Sequence, residues 1–205
     1  MNKLTISFGV LLSSFVIYNF ISFQSTMNDV ERAYGELKET VERRIVYEQV
    51  RDAELELRKS EIYAQEIECL ARNMYFEARG EGQTGIDAVG FVTINRVRSS
   101  RYPNTICEVV YQARRDSRGN PIRHKCQFSW YCDGRPDTVQ THEFVRLQRR
   151  AEFVYINYYL NDAMKDTTRG STHYHTTRVS PHWSRHQNYQ QVANIGDHIF
   201  YRPTY

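Results

Sequence analysis

Apolar positions divide the chain into an uncharged first segment, a long amphipathic stretch and a domain of mixed pattern. Residues 4–23, LTISFGVLLSSFVIYNFISF, contain no charged side chain and are long enough to span a bilayer as one helix of about 20 residues. Residues 28–66 contain one glycine and no proline, and apolar residues recur there at spacings of three and four. That spacing predicts an amphipathic helix, whose apolar seam is Val30, Tyr34, Leu37, Val41 and Ile45.

The first segment predicts a membrane anchor over residues 1–27. Lys3 precedes the apolar run and acidic residues follow it, which favours a cytoplasmic N-terminus and contact with the inner membrane through residues 4–23. A cleaved secretory signal is the alternative, but the residues after the run lack its small-x-small cleavage pattern. Residues 28–66 would then form a helical stalk, a candidate for weak self-association.

Two further helices are predicted at the start of the remaining domain, residues 67–205. The first keeps apolar residues at helical spacing up to Gly80, which supplies a C-terminal stop. After the turn EGQTG, a second run has one apolar side, formed by Ile86, Val89, Thr93, Ile94 and Val97. Glu77 falls on the last turn of the first helix, and Glu81 falls beyond its end, where we expect it nearer to solvent.

Glu77 is a candidate acid because its surroundings favour the protonated form. Partial burial beside Tyr75 and Phe76 disfavours a charge, and the negative end of the helix dipole opposes a carboxylate. A carboxylic acid that stays protonated near neutral pH can donate a proton to a glycosidic oxygen. Two glutamates at this spacing are also common on solvated helices, so the spacing alone does not establish catalysis.

Charge separates the two halves of the chain. Residues 1–67 hold 8 basic and 11 acidic side chains, whereas residues 68–205 hold 19 and 13. The basic excess favours an anionic partner such as a cell-wall polymer, phospholipid or nucleic acid. Nucleic-acid binding would depend on the basic loop ARRDSRGNPIRHK, residues 113–125, which matches no recognised motif, so we expect no nucleic-acid partner.

Five ordered motifs of the domain resemble one known family. They are CLARNMYFEARGEGQTGIDAVGFVTINRV (69–97), RYPNTICEVVYQ (101–112), CQFSWYCDG (126–134), THYHTTRVSPHWSR (172–185) and IGDHIFYR (195–202). Together they resemble the SleB/CwlJ-type cell wall hydrolases, first known from spore cortex-lytic enzymes, in the branch found in proteobacteria and their phages. The resemblance covers about residues 67–202 and leaves out the leader.

The resemblance implies an α+β fold, a lysozyme-like or lytic-transglycosylase-like helical domain with a small antiparallel sheet. It implies an enzyme that cleaves peptidoglycan glycan strands between N-acetylmuramic acid and N-acetylglucosamine, most simply as a lytic transglycosylase that uses one glutamate. The family's EARGE element places that general acid/base at Glu77 and a second acid at Glu81. We expect no cofactor. Asn95 and Arg96, in the NRV element, are expected to be structural.

Substrate contacts are predicted on two later motifs. QFSW offers the amide of Gln127 and the hydroxyl of Ser129, both suited to acetamido groups, while Phe128 is expected in the core. THYHT alternates like a strand, and DHIFYR predicts a partner strand with which it would form the second wall of a cleft. We expect Tyr174, His175 and Trp183 to contact the sugar there.

Four cysteines, an even number, lie in the domain: Cys69, Cys107, Cys126 and Cys132. In a domain outside the cytoplasm they predict one or two disulfides, although three complete pairings are open and buried thiols are the alternative. Cys126 and Cys132 are close enough in sequence to close the QFSWY loop. Disulfides would agree with a domain in the periplasm, or in the host periplasm if the protein is a phage endolysin that acts in cytolysis.

Three other functions remain open from the sequence. The first is hydrolysis of the same bond by an N-acetylmuramidase. The second is a metal-dependent amidase that uses His173, His175, His182 and His186, but HExxH is absent and no acid lies among these histidines, so we expect no metal. The third is a non-catalytic peptidoglycan-binding envelope protein, which would have no need of both glutamates.

Overall fold

The computed structural model describes residues 3–204, with side chains from residue 14 onward. Its helices are α1 (Lys3–Ala78), α2 (Gln83–Val97), α3 (Ile106–Val110) and α4 (Thr141–Val154). Its strands are β1 (Ala113–Arg115), β2 (Pro121–Cys126), β3 (His173–Thr176), β4 (Tyr189–Ile195) and β5 (His198–Pro203). Short 3-10 helices span Ser129–Cys132 and His182–Arg185, and a π-helix, Tyr155–Leu160, follows α4 directly. The described residues divide into two units between Lys59 and Ser60.

The first unit is helical, as the periodicity predicts for residues 28–66. The described side chains from residue 14 to residue 59 are exposed, including the apolar seam at Val30, Tyr34, Leu37, Val41 and Ile45. Helix α1 continues without a break through the predicted stalk boundary at residue 66. Self-association through the seam stays a prediction.

The predicted membrane anchor is not supported. Within the part of the chain that the structure describes, no helix combines the length and the apolar character needed to cross a membrane. The predicted span, residues 4–23, begins in a stretch, residues 4–13, whose side chains lie outside the described ones.

Helix α2 is the centre of the second unit, because it is buried from Gly85 to Arg96. One side of it, through Ile86, Val89 and Ile94, joins a core formed with α1, α3 and α4. The opposite side presents Ala88 and Val92 to Phe200 of β5. A helix with apolar residues on both sides is suited to lie between two layers, here helices on one side and a sheet on the other.

The sheet behind α2 has the strand order β3-β5-β4, and both pairs are antiparallel. His173 pairs with Tyr201 and Thr176 with His198, so the two motifs predicted to form strands lie side by side. A separate two-stranded sheet pairs β1 with β2. The predicted mixture of helices and small antiparallel sheets is therefore confirmed.

The basic segment 113–125 is a hairpin rather than the loop that its composition suggested. Asp116 Oδ1 accepts hydrogen bonds from the backbone amides of Arg118 and Asn120, each 2.9 Å long. Gly119 adopts φ +84°, a left-handed conformation that glycine tolerates at little cost. This local turn brings β1 and β2 together, so the basic side chains stand on paired strands.

The sequence predicted one or two disulfides, and the structure has two, with the pairing Cys69–Cys107 and Cys126–Cys132 of the three that were open. The first joins α1 to α3. Glu66 strengthens this junction, since its carboxylate accepts from the amides of Ile106 (2.6 Å) and Cys107 (3.3 Å) at the start of α3. Thr105 also accepts from the Glu108 amide as the N-cap. The second disulfide closes the predicted QFSWY loop.

Asn73 of α1 links three parts of the helical core. Its side chain is fully buried, donates to Thr93 Oγ1 of α2 (3.0 Å) and accepts from Trp130 Nε1 (3.0 Å) in the disulfide-closed loop. A buried donor or acceptor without a partner costs more free energy than an ordinary hydrogen bond contributes. The loop that follows β2 is thus fixed to α1 from within the core.

We predict that Asn73→Ala lowers the free energy of unfolding by about 2–3 kcal/mol, because Trp130 Nε1 loses its acceptor and Thr93 loses a donor. Urea denaturation of the full chain measures this. Asn188→Ala, at an exposed position, is the matched control and should change stability by less than about 0.5 kcal/mol. Equal stabilities of the two variants would contradict the proposed role of Asn73.

Candidate active site

Glu77 lies on the last turn of α1, which ends at Ala78, two residues before the predicted stop at Gly80. The Arg79 amide still donates to Tyr75 O, and the Glu81 amide donates to Ala78 O, so the chain turns directly after the helix. Glu77 is half-buried and faces a cleft with a volume of about 320 Å³.

The cleft is built from five parts of the second unit: the ends of α1 and α2, the disulfide-closed loop, the sheet, and the segment that leads into the 3-10 helix after β3. Its lining residues are Glu77, Arg96, Cys126, Gln127, Phe128, Ser129, His173, Tyr174, His175, Thr176, Val179, Trp183 and His198. The five predicted substrate-contacting residues are all among them. Glu77 is the one carboxylate that lines this cleft within the described part of the chain.

Burial raises the pKa of Glu77 above its ordinary value, and this desolvation outweighs two opposing effects. The Tyr174 hydroxyl donates to Glu77 Oε2 (2.8 Å), and the Arg96 guanidinium adds a positive charge nearby, both of which favour the carboxylate. The same burial raises the pKa of Tyr174 well above its usual range, so that its hydroxyl stays a donor. The carboxyl group of Glu77 therefore stays protonated to higher pH, and after deprotonation the carboxylate still accepts the hydrogen bond from Tyr174.

Arg96 was expected to be structural, and the structure places it in the cleft as well as in the core. Its side chain is 3% exposed, and its Nε donates to Thr172 O (2.8 Å) just before β3. Its guanidinium lies 4.7 Å from the centre of the Phe128 ring. Within the described residues its Nη1 has no hydrogen-bond partner. A buried donor of this kind is available to an oxygen atom of a bound molecule.

Asn95, the neighbour of Arg96, has the structural contacts expected of it. Its Nδ2 donates to Ser171 O and Asp166 Oδ2, both at 3.0 Å, and its Oδ1 accepts from the Tyr158 hydroxyl. Together with the bond from Arg96 to Thr172 O, these contacts hold the segment that enters β3. The position of Tyr174 against Glu77 therefore depends on two consecutive residues of α2.

The disulfide-closed loop supplies the wall opposite the sheet. Gln127 and Ser129 are exposed in the cleft, whereas Phe128 and Trp130 are buried. The backbone N–H of Gln127 donates to the backbone oxygen of Gln112 (2.8 Å), which fixes the first residue after β2. The expectation that Phe128 belongs to the core is confirmed.

Aromatic rings line the sheet side of the cleft. His175 stacks on Tyr201 with ring centres 5.2 Å apart, and Trp183 lies nearly perpendicular to the same tyrosine ring, also at 5.2 Å between centres. His173 contacts Trp183 at 5.4 Å. Such rings present flat apolar faces beside polar atoms, a combination that suits the faces of sugars.

Glu81 was expected nearer to solvent, but its side chain is only 14% exposed. Its carboxylate accepts from the Asp197 amide at 3.2 Å through both oxygens, at the turn between β4 and β5. Gly196 makes this approach possible, since a Cβ there would stand 1.9 Å from Glu81 Oε2. His198 Nδ1 lies 3.5 Å from Glu81 Oε1. Glu81 thus ties the end of α1 to the sheet and does not line the Glu77 cleft.

Two of the four histidines considered as metal ligands, His173 and His175, have other contacts. His175 Nδ1 lies 2.9 Å from Thr176 O, and His175 Nε2 lies 3.0 Å from the Tyr201 hydroxyl, so both ring nitrogens are occupied. Burial, with a smaller effect from Arg96, lowers the pKa of His173 to about 4. Within the described residues, no group of three or more His, Cys, Asp or Glu side chains is arranged to hold a metal ion.

Sequence reasoning did not assign Arg96 or His198 to the cleft, and it named His173 only as a candidate metal ligand on the predicted cleft strand. For Arg96 a signal was present, since it follows Val89 by seven residues and Thr93 by three, both helical spacings, and therefore shares their buried face. His198 lines the cleft with little exposure, and burial lowers its pKa despite the nearby Glu81 carboxylate. The position of His198 on a predicted strand did not by itself indicate that it would lie beside Glu81.

We predict that the difference in stability between Glu77→Gln and wild type shifts in favour of the variant as pH rises from 4 to 7. In the unfolded chain the Glu77 pKa is about 4.3, and in the folded chain it is higher. Between these two values the folded state binds more protons, so wild-type stability falls as pH rises, whereas neutral glutamine has no such dependence. Thermal unfolding from pH 3.5 to 8 measures the difference.

Glu61→Gln, at an exposed position of the same helix, is the control and should give no pH-dependent difference. A Tm difference for Glu77→Gln that stays constant with pH, or that grows towards acid, would show that the folded protein does not favour protonated Glu77.

We predict that Gly196→Ala destabilises the fold more than Gly119→Ala does. Both glycines have positive φ, +56° and +84°, so each alanine costs roughly 1–3 kcal/mol of backbone strain. Nothing lies within 4 Å of a Cβ at Gly119, whereas at Gly196 the new methyl group also displaces the Glu81 carboxylate. Urea denaturation of both variants measures the excess, and equal losses would contradict the packing of Glu81 against this turn.

Comparison with known proteins identifies the family. Residues 80–201, more than half of the chain, match the model of a family described as Cell Wall Hydrolase. The matched range includes Glu81 and begins three residues after Glu77. Two curated sequences named spore cortex-lytic enzyme, both from Bacillus cereus, are 42% identical over 49 residues. That stretch covers 24% of this chain and only 19% of each relative.

Two solved structures are similar. The catalytic domain of the Bacillus cereus SleB protein is 24% identical with a TM-score of 0.47, and the match covers 67% of this chain and 89% of that one. The catalytic domain of the germination-specific lytic transglycosylase SleB from Bacillus anthracis is 26% identical with a TM-score of 0.48, and the match covers 67% and 93%. The matched family confirms the resemblance seen in the five sequence motifs, and this chain belongs to the cell wall hydrolase family.

Proposed function

We propose that the protein cleaves peptidoglycan glycan strands between N-acetylmuramic acid and N-acetylglucosamine as a lytic transglycosylase, with Glu77 as general acid and then general base. The observation that carries this proposal is the state of Glu77, a half-buried acid with a raised pKa in a cleft where it is the one carboxylate among the described lining residues. Membership of the cell wall hydrolase family supports the substrate class.

The first step needs a proton donor. Protonated Glu77 gives its proton to the glycosidic oxygen, the bond from that oxygen to C1 of the muramoyl sugar breaks, and positive charge develops at C1 and the ring oxygen. Glu77 is left as a carboxylate. The Tyr174 hydroxyl, 2.8 Å from Oε2, and the positive charge of Arg96 both stabilise that form.

The second step returns the proton. The Glu77 carboxylate takes a proton from the 6-hydroxyl of the same sugar as the 6-oxygen bonds to C1, which gives a 1,6-anhydro ring. Neither water nor a second carboxylate takes part, unlike the two-carboxylate schemes of hydrolysis. The position of Glu81 favours this one-acid route, because its carboxylate is engaged by the Asp197 amide.

The walls of the cleft suit an amino sugar. Gln127 and Ser129, exposed on the disulfide-closed loop, offer groups that can bind an acetamido oxygen or nitrogen. Across the cleft, Trp183 and Tyr174 offer ring surface, and the unpartnered Nη1 of Arg96 offers a donor. An acid at a helix end that faces a small sheet is also the arrangement expected of a lysozyme-like domain.

The two disulfides support action outside the cytoplasm, since such bonds persist in oxidising compartments. We propose that the second unit works in the periplasm, where peptidoglycan lies. The basic excess of residues 68–205 favours approach to this anionic polymer.

We predict that the full chain releases fragments ending in 1,6-anhydro-muramic acid from Gram-negative peptidoglycan and that Glu77→Gln lowers this rate at least a hundredfold, as expected for loss of a general acid. Mass spectrometry of the products measures both, because an anhydro end is lighter than a reducing end by one water. Glu61→Gln is the control with unchanged rate.

Each other product would give a different result. Reducing muramic ends would establish a muramidase and make Glu81→Gln the next variant. Cleavage of the peptide side, or activity retained in Glu77→Gln, would overturn the proposal.

A further inference from the structure

A second cavity, with a volume of about 370 Å³, lies beside the Glu77 cleft. It is lined by Tyr75 and Phe76 of α1, by Arg79 directly after that helix, by Trp130, and by Asp133 and residues 135–140. The mechanism proposed above uses none of these residues.

Hydrogen bonds and ring contacts hold this cavity in shape. The Tyr75 hydroxyl accepts from the Gln140 amide (3.1 Å), and Arg72 Nη1 donates to Asp137 O (3.2 Å), so the 133–140 segment is fixed to α1 at two points. Phe76 and Trp130 stack with ring centres 4.5 Å apart. The walls are therefore formed before any ligand arrives.

The cavity carries both signs of charge. Arg79 lies with its guanidinium 4.8 Å from the centre of the Tyr75 ring, and the Arg135 amide donates to Asp133 Oδ1 (2.8 Å). Among the residues that the structure describes, neither guanidinium has a hydrogen bond or an ion pair. Asp133 and Asp137 supply negative charge, and Asp137 is half-buried. Two cations and two anions at one site suit a ligand that itself carries carboxylates and an amino group.

The two cavities are lined by consecutive residues of the same two segments. Phe76 lines the second and Glu77 the first, and likewise Trp130 lines the second and Ser129 the first. Phe76 and Glu77 are neighbours on α1, and a helix with its side chains is about 10–12 Å across. We therefore take about that distance as the separation of the two cavities. Three extended residues span about 10–11 Å. A short peptide attached to a sugar in the first cavity could therefore reach the second.

We propose that the second cavity binds the peptide stem of peptidoglycan, with Arg79 and Arg135 on its carboxylates and Asp133 or Asp137 on the amino group of its diamino acid. This inference rests on the proposed function, because the stem is attached to the lactyl group of the muramoyl sugar that the first cavity would hold. The site suits a peptide better than a further sugar, since Phe76 and Trp130 stack on each other and charged groups line the opening.

The test compares the wild-type full chain with a doubly substituted variant, each on two substrates. The substrates are peptidoglycan with its stems and the same material after the stems have been removed by an amidase. We expect Arg79→Ala combined with Arg135→Ala to lower the cleavage rate at low substrate about tenfold on stem-bearing material, as for the loss of charge-assisted hydrogen bonds. On bare glycan the rate should not change. Arg149→Ala, at an exposed position that lines neither cavity, is the control.

Replacing both arginines by lysine should restore part of the rate on stem-bearing material, because the charges remain. An equal loss on both substrates, or no loss on either, would overturn the stem site while leaving glycan cleavage in place. If the wild type cleaves neither substrate, glycan cleavage itself is wrong, and the stem site fails with it.

Discussion

The hydrogen bond from the Tyr174 hydroxyl to Glu77 joins the two layers of the second unit at the place where chemistry is proposed. Glu77 belongs to the helical layer and Tyr174 to the sheet, and the bond between them is 2.8 Å long. Burial of this pair makes a charge on Glu77 costly, while the hydroxyl limits that cost. A catalytic acid needs both properties, since it must first be protonated and its carboxylate must then be stabilised after the proton has been transferred.

The remaining contacts keep that pair aligned. Arg96 and Asn95 of α2 bind the segment before β3, and Glu81 binds the turn before β5, so the sheet is attached to the helices on both sides of Tyr174. Arg150 of α4 forms an ion pair with Asp87 of α2 through two hydrogen bonds. Each tie involves a charged or amide side chain with little exposure. Precision at the cleft thus comes from polar contacts as much as from apolar packing.

The sequence indicated much of this arrangement, for physical reasons that can be named. Helical spacing and Gly80 located the end of α1 and therefore Glu77, and period-two alternation located β3. Long-range geometry could not be read in the same way. The Cys69–Cys107 disulfide, the approach of Glu81 to Gly196 and the cavity around Arg79 each join residues far apart in sequence, and no local pattern records such contacts. The hairpin at 113–125 was missed because its strands are short and highly charged.

The Cys126–Cys132 bond has a consequence for where the protein can work. It closes a seven-residue ring that carries Gln127 and Ser129, two exposed side chains of the cleft wall. In a reducing compartment the ring would open, and one wall of the cleft would gain conformational freedom that a bound sugar must then remove. A newly made chain would accordingly bind substrate poorly until an oxidant reaches it. Under the function proposed above, the redox state of its surroundings would delay full activity until the domain has left the cytoplasm.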